Sequence, residues 1–218
     1  MSKIIIANWK MNFLPSESVK FVREIDKIKT DNQIIILAPY IDLPYLRSDK
    51  LIFGSQNIHH KNKGSYTGEI SPLMLKDINI NYTMIGHYER REYFKENNGL
   101  IELKLRNALN NGLKVILCVN SIKTFAEITA SVKNYDNIIV AFEPDDYIGG
   151  TKIVEKNKII EFVKGVKELT NNKCKVVYGG GINTTNIISL KDIEELDGIM
   201  VGSNSINLEK FEEIIKKY

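Results

Sequence analysis

Cysteine is nearly absent from this 218-residue sequence. Cys118 and Cys174 each lie inside or beside an apolar run, without paired spacing, which supports neither a disulfide framework nor a zinc site. Both are read as free thiols. Charge of one sign is equally sparse: 30 Lys and Arg against 27 Asp and Glu leave a net +3, and no basic block stands apart as a nucleic-acid footprint. No apolar run is long enough to cross a bilayer, and "MSKIIIANWK" falls far short of a signal peptide's apolar region. The expectation is a soluble, cytoplasmic protein. No low-complexity stretch or linker divides the chain, so residues 1–218 are read as one domain.

What is present is a recurrence of short, β-branched apolar runs: Ile4–Ala7, Ile34–Ala38, Leu51–Gly54, Tyr82–Ile85, Val115–Val119, Ile138–Phe142, Val176–Tyr178 and Gly198–Val201. Runs of this kind suit strands buried on both faces of a parallel sheet. Between most of them lie amphipathic stretches. In "SESVKFVREIDKI", Val19, Val22, Ile25 and Ile28 keep a three- or four-residue rhythm among charges, and "NKIIEFVKGVKELT" and "LEKFEEIIKKY" do likewise. Alternation of strand and helix implies right-handed crossovers in an open doubly wound sheet or a closed (β/α)₈ barrel. Eight repeats favour closure, and the first strand ends in "NWKMN" rather than in the glycine-rich turn of an open dinucleotide-binding sheet. The fold class expected is therefore α/β, a single-domain (β/α)₈ barrel.

Polar and glycine residues cluster after the strands, on what would be the barrel's C-terminal face, where active sites are built. Glu143 ends the run "NIIVAF"; a carboxylate there is either a satisfied structural ion or a base altered by partial burial. "YGGGI" (178–182) and "VGSNSI" (201–206) are either tight turns or places where backbone N–H groups approach an anion, and their position on consecutive strands favours a phosphate. His87, in "IGHYERREYF", falls at the expected start of a helix, whose dipole disfavours imidazolium and would leave a neutral ring able to donate to a substrate oxygen. Lys10 is either solvated or a fixed positive charge at a strand end. His59 and His60 suggest a metal at first, but adjacent side chains point apart on extended chain and "HHKNKG" offers no further ligand, so no metal is expected.

Taken together, "ANWKMN" (7–12), "GSYTGEIS" (64–71), "IGHYERR" (85–91), "AFEP" with "IGG" (141–150), "YGGGI" (178–182) and "DGIMVGSNSI" (197–206) resemble the triosephosphate isomerase family along essentially the whole chain. That family is itself a standard illustration of a glutamate base working beside a neutral histidine electrophile. The resemblance implies interconversion of dihydroxyacetone phosphate and glyceraldehyde 3-phosphate without metal or organic cofactor. It makes Glu143 the base, His87 the electrophile, Lys10 the counter-charge paired with Glu89, and Asn8 the residue that sets the strand end. Backbone groups at Gly149, Gly181, Gly202 and Ser203 would hold the phosphate, under a lid formed by "PDDYIGG". It also implies a homodimer through the loop carrying Tyr66 and Thr67.

Departures from the family pattern are as informative. Asp145 and Asp146 replace the usual valine and tryptophan of the lid hinge, with Tyr147 following. Tyr88 and Gly181 stand where serines are usual, "CVNS" (118–121) lacks a glycine–glutamate pair, and the connection between strands 5 and 6 is shortened by roughly a helix. The length is below the ~250 residues typical of the fold. A phosphate-sugar binding or scaffold protein, and a different phosphate-handling barrel enzyme such as an aldolase or another sugar isomerase, are the competing readings. The first has no use for a base, and an aldolase of the Schiff-base type needs a desolvated lysine, whereas Lys10 has a carboxylate partner.

Overall fold

The computed structural model describes residues 2–218. Eight parallel strands close into a barrel in sequence order: β1 (Ile4–Asn8), β2 (Gln33–Ala38), β3 (Ile52–Ser55), β4 (Tyr82–Ile85), β5 (Lys114–Val119), β6 (Ile138–Phe142), β7 (Lys175–Gly179) and β8 (Gly198–Val201). Closure comes from β8 pairing with β1, Ile4 opposite Gly198 through Ala7 opposite Val201. Every expected strand is present, with ends displaced by no more than one residue, and the closed (β/α)₈ architecture stands.

The apolar runs lack alternation because both faces are buried, yet the two faces belong to different layers. Ile6, Leu37, Met84, Ile116, Cys118, Ala141, Val177 and Met200 fill the barrel interior. Their neighbours Ile5, Ala7, Ile36, Leu117, Val140, Val176 and Val201 face outward into the helices. Strand side chains alternate with period two. The next inward positions after Ile6 and Ala141 are thus Asn8 and Glu143, which places both at the rim of the interior.

The helices are α1 (Pro15–Ile25), α2 (Pro72–Asp77), α3 (Tyr88–Phe94), α4 (Asn98–Asn110), α5 (Ile122–Thr129), α6 (Lys156–Leu169), α7 (Ile187–Lys191) and α8 (Leu208–Lys217). α1 begins with Pro15 in its first turn, and the Glu17 carboxylate accepts the Leu14 N–H at 2.9 Å, the half of a cap that a leucine at the N-cap leaves possible. It ends at Ile25, so Ile28 packs on the core from the segment beyond rather than on the helix. Helices are not shared out one per strand. The β2–β3 connection has only a 3₁₀ turn at Leu43–Tyr45, the β4–β5 connection carries both α3 and α4, and the short β5–β6 connection holds the eight-residue α5 alone. No helix among the described residues is long and apolar enough to cross a membrane.

Candidate active site

The C-terminal rim of the barrel surrounds a cavity of about 120 Å³ lined by Asn8, Lys10, His87, Glu143, Ile148, Gly149, Gly150, Gly179 to Ile182, Met200, Gly202 and Ser203. All eight site residues singled out in the sequence are among them. Six further lining residues, Ile148, Gly150, Gly179, Gly180, Ile182 and Met200, fall within the same sequence motifs without having been singled out individually. Drug-sized ligands occupy ~300–1,000 Å³, so this cavity admits only a small molecule.

Each polar side chain is held by identifiable local chemistry. Asn8 is 3% exposed; its Oδ1 accepts the Lys10 N–H at 3.2 Å. That contact belongs to a strand end in which Lys10 has φ +53°, a left-handed conformation unfavourable for a side-chain-bearing residue and a common mark of functional sites. Lys10 Nζ lies 2.5 Å from Glu89 Oε1, the pairing that the sequence suggested. Gln56 fixes the same turn from β3's end, donating to the carbonyls of Lys10 and Leu37, both at 2.9 Å.

His87 is the N-cap of α3, and its Nδ1 accepts the Glu89 N–H at 3.2 Å. An accepting Nδ1 carries no proton; with its single proton on Nε2, the ring is neutral and presents a donor to the cavity. Gly86 makes the turn from β4 into this helix with φ +78°, and a Cβ there would lie 3.0 Å from the Cys118 carbonyl. Arg91 ties the same region together, donating to the carbonyls of Gly86 at 2.7 Å and Cys118 at 3.3 Å.

Glu143, buried at 3% exposure, has Oε1 3.3 Å from His87 Nε2, while its Oε2 accepts the Tyr88 N–H at 3.3 Å. The main chain, not a side-chain hydroxyl, supplies this donor, so a tyrosine at 88 can replace a serine without loss of the contact. Burial, then the charge of Glu143 and a hydrogen bond to it, push the Cys118 thiol well above its usual range. Cys118 is consequently a protonated, buried thiol rather than a nucleophile. Sequence reading missed this neighbour, although its inward parity on β5 could have found it.

The segment from Pro144 to Val154 covers the cavity. It begins with a 3₁₀ turn at Asp145–Tyr147, and both Asp145 and Asp146 are exposed. Asp145 accepts a hydrogen bond from Asn120 Nδ2 at 2.7 Å, which directs its charge toward the β5–α5 loop; neither aspartate lines the cavity. At the opposite wall a 3₁₀ turn starts at Ser203, so backbone N–H groups of Gly202 and Ser203 border the cavity, whereas α7 begins only at Ile187, six residues beyond Gly181.

The two histidines after β3 correct an expectation. His59 and His60 do not point apart: their ring centroids are 4.3 Å apart, and the Tyr66 ring packs against His59 at 4.2 Å with a 40° tilt. The backbone there is bent rather than extended, which removes the alternation on which that expectation rested. No group of three or more metal-ligating side chains occurs among the described residues.

A family model described as triosephosphate isomerase matches residues 3–218. The chain is similar to triosephosphate isomerases of Mycoplasma mobile (35% identity, covering 98% of this chain and 99% of the relative), Trichodesmium erythraeum (32%, 99% and 99%) and a Wolbachia of Brugia malayi (34%, 100% and 98%).

Proposed function

The chain belongs to the triosephosphate isomerase family and interconverts dihydroxyacetone phosphate and D-glyceraldehyde 3-phosphate, a step of glycolysis and gluconeogenesis; we propose that Glu143, His87, Lys10 and Asn8 carry the reaction. The observation that supports this reading is their convergence on one small cavity with a glycine-lined wall. Residues 1–218 work as one barrel domain.

Glu143 removes a proton from the carbon beside the carbonyl and returns it to the neighbouring carbon. The ends of the strands bring the carboxylate and the His87 ring within 3.3 Å of each other, so one substrate carbon and its oxygen can be served together. His87, neutral and donating from Nε2, stabilises the oxygen on which negative charge develops. Lys10 offsets the charge of the enediolate and of the phosphate, while Asn8 holds the turn that presents it. The phosphate sits against backbone N–H groups of Gly149, Gly181, Gly202 and Ser203, where glycines allow close approach. The chemistry asks for no metal or organic cofactor. Closure of the 144–154 segment keeps water from the enediolate and strengthens every electrostatic contact inside.

Retention of a buried base favours turnover over simple phosphate-sugar binding. The test is solvent exchange: deuterium from D₂O enters the carbon beside the carbonyl of dihydroxyacetone phosphate with the wild-type enzyme, and Glu143→Gln reduces that incorporation by ~10²–10⁴, the weight of general-base catalysis. Equal exchange in both proteins would remove Glu143 from the mechanism, and its absence from both would favour the binding reading.

We also propose a homodimer whose contact includes the loop of Tyr66 and Thr67, and a cytoplasmic location, the ordinary setting of a chain that keeps its cysteines free.

A further inference from the structure

The two histidines of "HHKNKG" take no part in the reaction, yet they root the loop that carries Tyr66 and Thr67. Hydrogen bonds within the chain fix that root. The His59 N–H donates to the Ile70 carbonyl at 2.8 Å, drawing the two ends of the loop together, and Asn107 of α4 donates from Nδ2 to the His59 carbonyl at 3.4 Å. Asn111, just past the end of α4, donates from Nδ2 to Asn62 Oδ1 at 3.1 Å and to Asn107 Oδ1 at 3.0 Å. The loop is therefore shaped against its own helix, by contacts inside one chain.

On that frame three rings pack together. The His59 ring centroid lies 4.3 Å from that of His60 and 4.2 Å from that of Tyr66, and His60 meets Tyr66 edge-on at 6.3 Å. Tyr66 forms the exposed outer side of the group. His60 faces inward: its Nδ1 is buried and has no hydrogen-bond partner among the described residues. An imidazolium donates from both ring nitrogens, so protonation of this ring would leave a charged, buried donor unpaired.

The groups around the ring resist that charge as well. His59 and Lys61 of the loop and Lys104 of α4 oppose it, while Glu69, on the return of the loop, favours it. Lys104 brings no relief, since its ammonium is already held by Glu96 at 2.6 Å and Asn57 at 2.9 Å. Burial first, and then these neighbouring cations, hold the His60 pKa below the usual histidine value.

We propose that this loop is a proton-sensitive surface for a second copy of the chain: with His60 neutral the three rings stay packed and present Tyr66 and Thr67, and protonation of His60 unseats them. It rests on the homodimer reading of the same loop. Association selects the packed loop and a proton selects the unpacked one, so each weakens the other. Because the packed ring has the depressed pKa, its contribution to association is complete above about pH 6.5, the value of a free histidine, and is lost as the pH falls through the lower value of the packed ring.

Sedimentation equilibrium of wild type and His60→Phe at about pH 7.5 and about pH 5.5 tests the coupling, over a span that titrates histidines and leaves carboxylates ionised. Phenylalanine keeps a ring in the group and takes no proton, and His59 and His87 are present in both proteins, so their own titration cancels in the comparison. Two copies bring two rings. The dimer Kd of wild type should rise ~10²-fold toward acid, about tenfold per ring for one unit of pKa difference, and that of His60→Phe less than about threefold. A proton NMR titration of wild type gives a second reading that needs no variant: the His60 Cε1–H signal should titrate below about pH 6.5, and titration at or above that value would overturn the proposal. A pH-independent Kd in wild type, or an equal acid rise in both proteins, would overturn it too and leave the homodimer in place. A wild-type chain that is monomeric at both pH values would remove the homodimer and its proton-sensitive contact together.

Discussion

At His87 a single backbone hydrogen bond decides what the side chain can do. The Glu89 N–H occupies Nδ1, so the proton resides on Nε2, 3.3 Å from Glu143. A neutral ring donating into a buried cavity stabilises developing negative charge at little reorganisation cost. His87→Ala should therefore lower kcat by ~10²–10³, the usual effect of removing one oxyanion donor. Nitrogen-15 NMR of the wild type at neutral pH should find Nδ1 unprotonated and Nε2 bearing hydrogen; the opposite tautomer, or a loss below about twofold in the alanine variant, would contradict the role. Residues of this kind were legible in the sequence because each ends or follows a strand, where chemistry and position coincide. Cys118 and Met200 were hidden inside apolar runs, where nothing in residue type separates a side chain facing the barrel interior from one facing a helix.

Elements repeat that division. Strand positions followed from β-branched composition, and the period-two alternation that carries Ile6 into Asn8 and Ala141 into Glu143 needed only knowledge of which residues face the axis. Connections were less legible, since the bends that bring the His59 and His60 rings together and the replacement of a helix by a 3₁₀ turn after β2 depend on tertiary contacts. One such contact joins three elements. Lys104 of α4, 3% exposed, donates to Glu96 Oε1 at 2.6 Å and to Asn57 Oδ1 at 2.9 Å, while Arg90 of α3 reaches the same carboxylate oxygen at 2.5 Å. Burial lowers the Lys104 pKa, and the hydrogen bond and charge of Glu96 oppose that shift. Lys104→Met leaves Glu96, itself 4% exposed, without the cation that shares its burial. Breaking a buried pair in this way costs about 3–5 kcal/mol, so urea unfolding of the variant should have a clearly lower midpoint with an unchanged slope. A loss under about 1 kcal/mol would mean that Arg90 alone compensates the carboxylate.

For the molecule as a whole, the homodimer proposed above has a contact that would draw on some of the exposed apolar side chains. Met11 is 94% exposed, Tyr45 62%, Tyr66 42%, Tyr93 71% and Phe94 65%. They lie in the connections after β1, β2, β3 and β4 in turn, which neighbour one another around a barrel closed in sequence order. Were they to form one patch, exposed apolar surface of that kind would suit an interaction site. A twofold-symmetric contact would let the Tyr66–Thr67 loop of each copy meet these connections of the other, covering both with one interface. The proximity of those connections to Lys10 and His87 would make the assembly a support for the site, since the ends of β1 and β4 supply both residues. Thr67→Glu places a charge at the centre of the proposed contact without touching the barrel core. Wild type should sediment at twice its 24.9 kDa chain mass, and Thr67→Glu at the monomer mass with an unchanged far-ultraviolet circular dichroism spectrum and a markedly lower kcat. A fully active wild-type monomer at working concentration would leave the exposed side chains to some other partner and would free the active site from any dependence on a second copy.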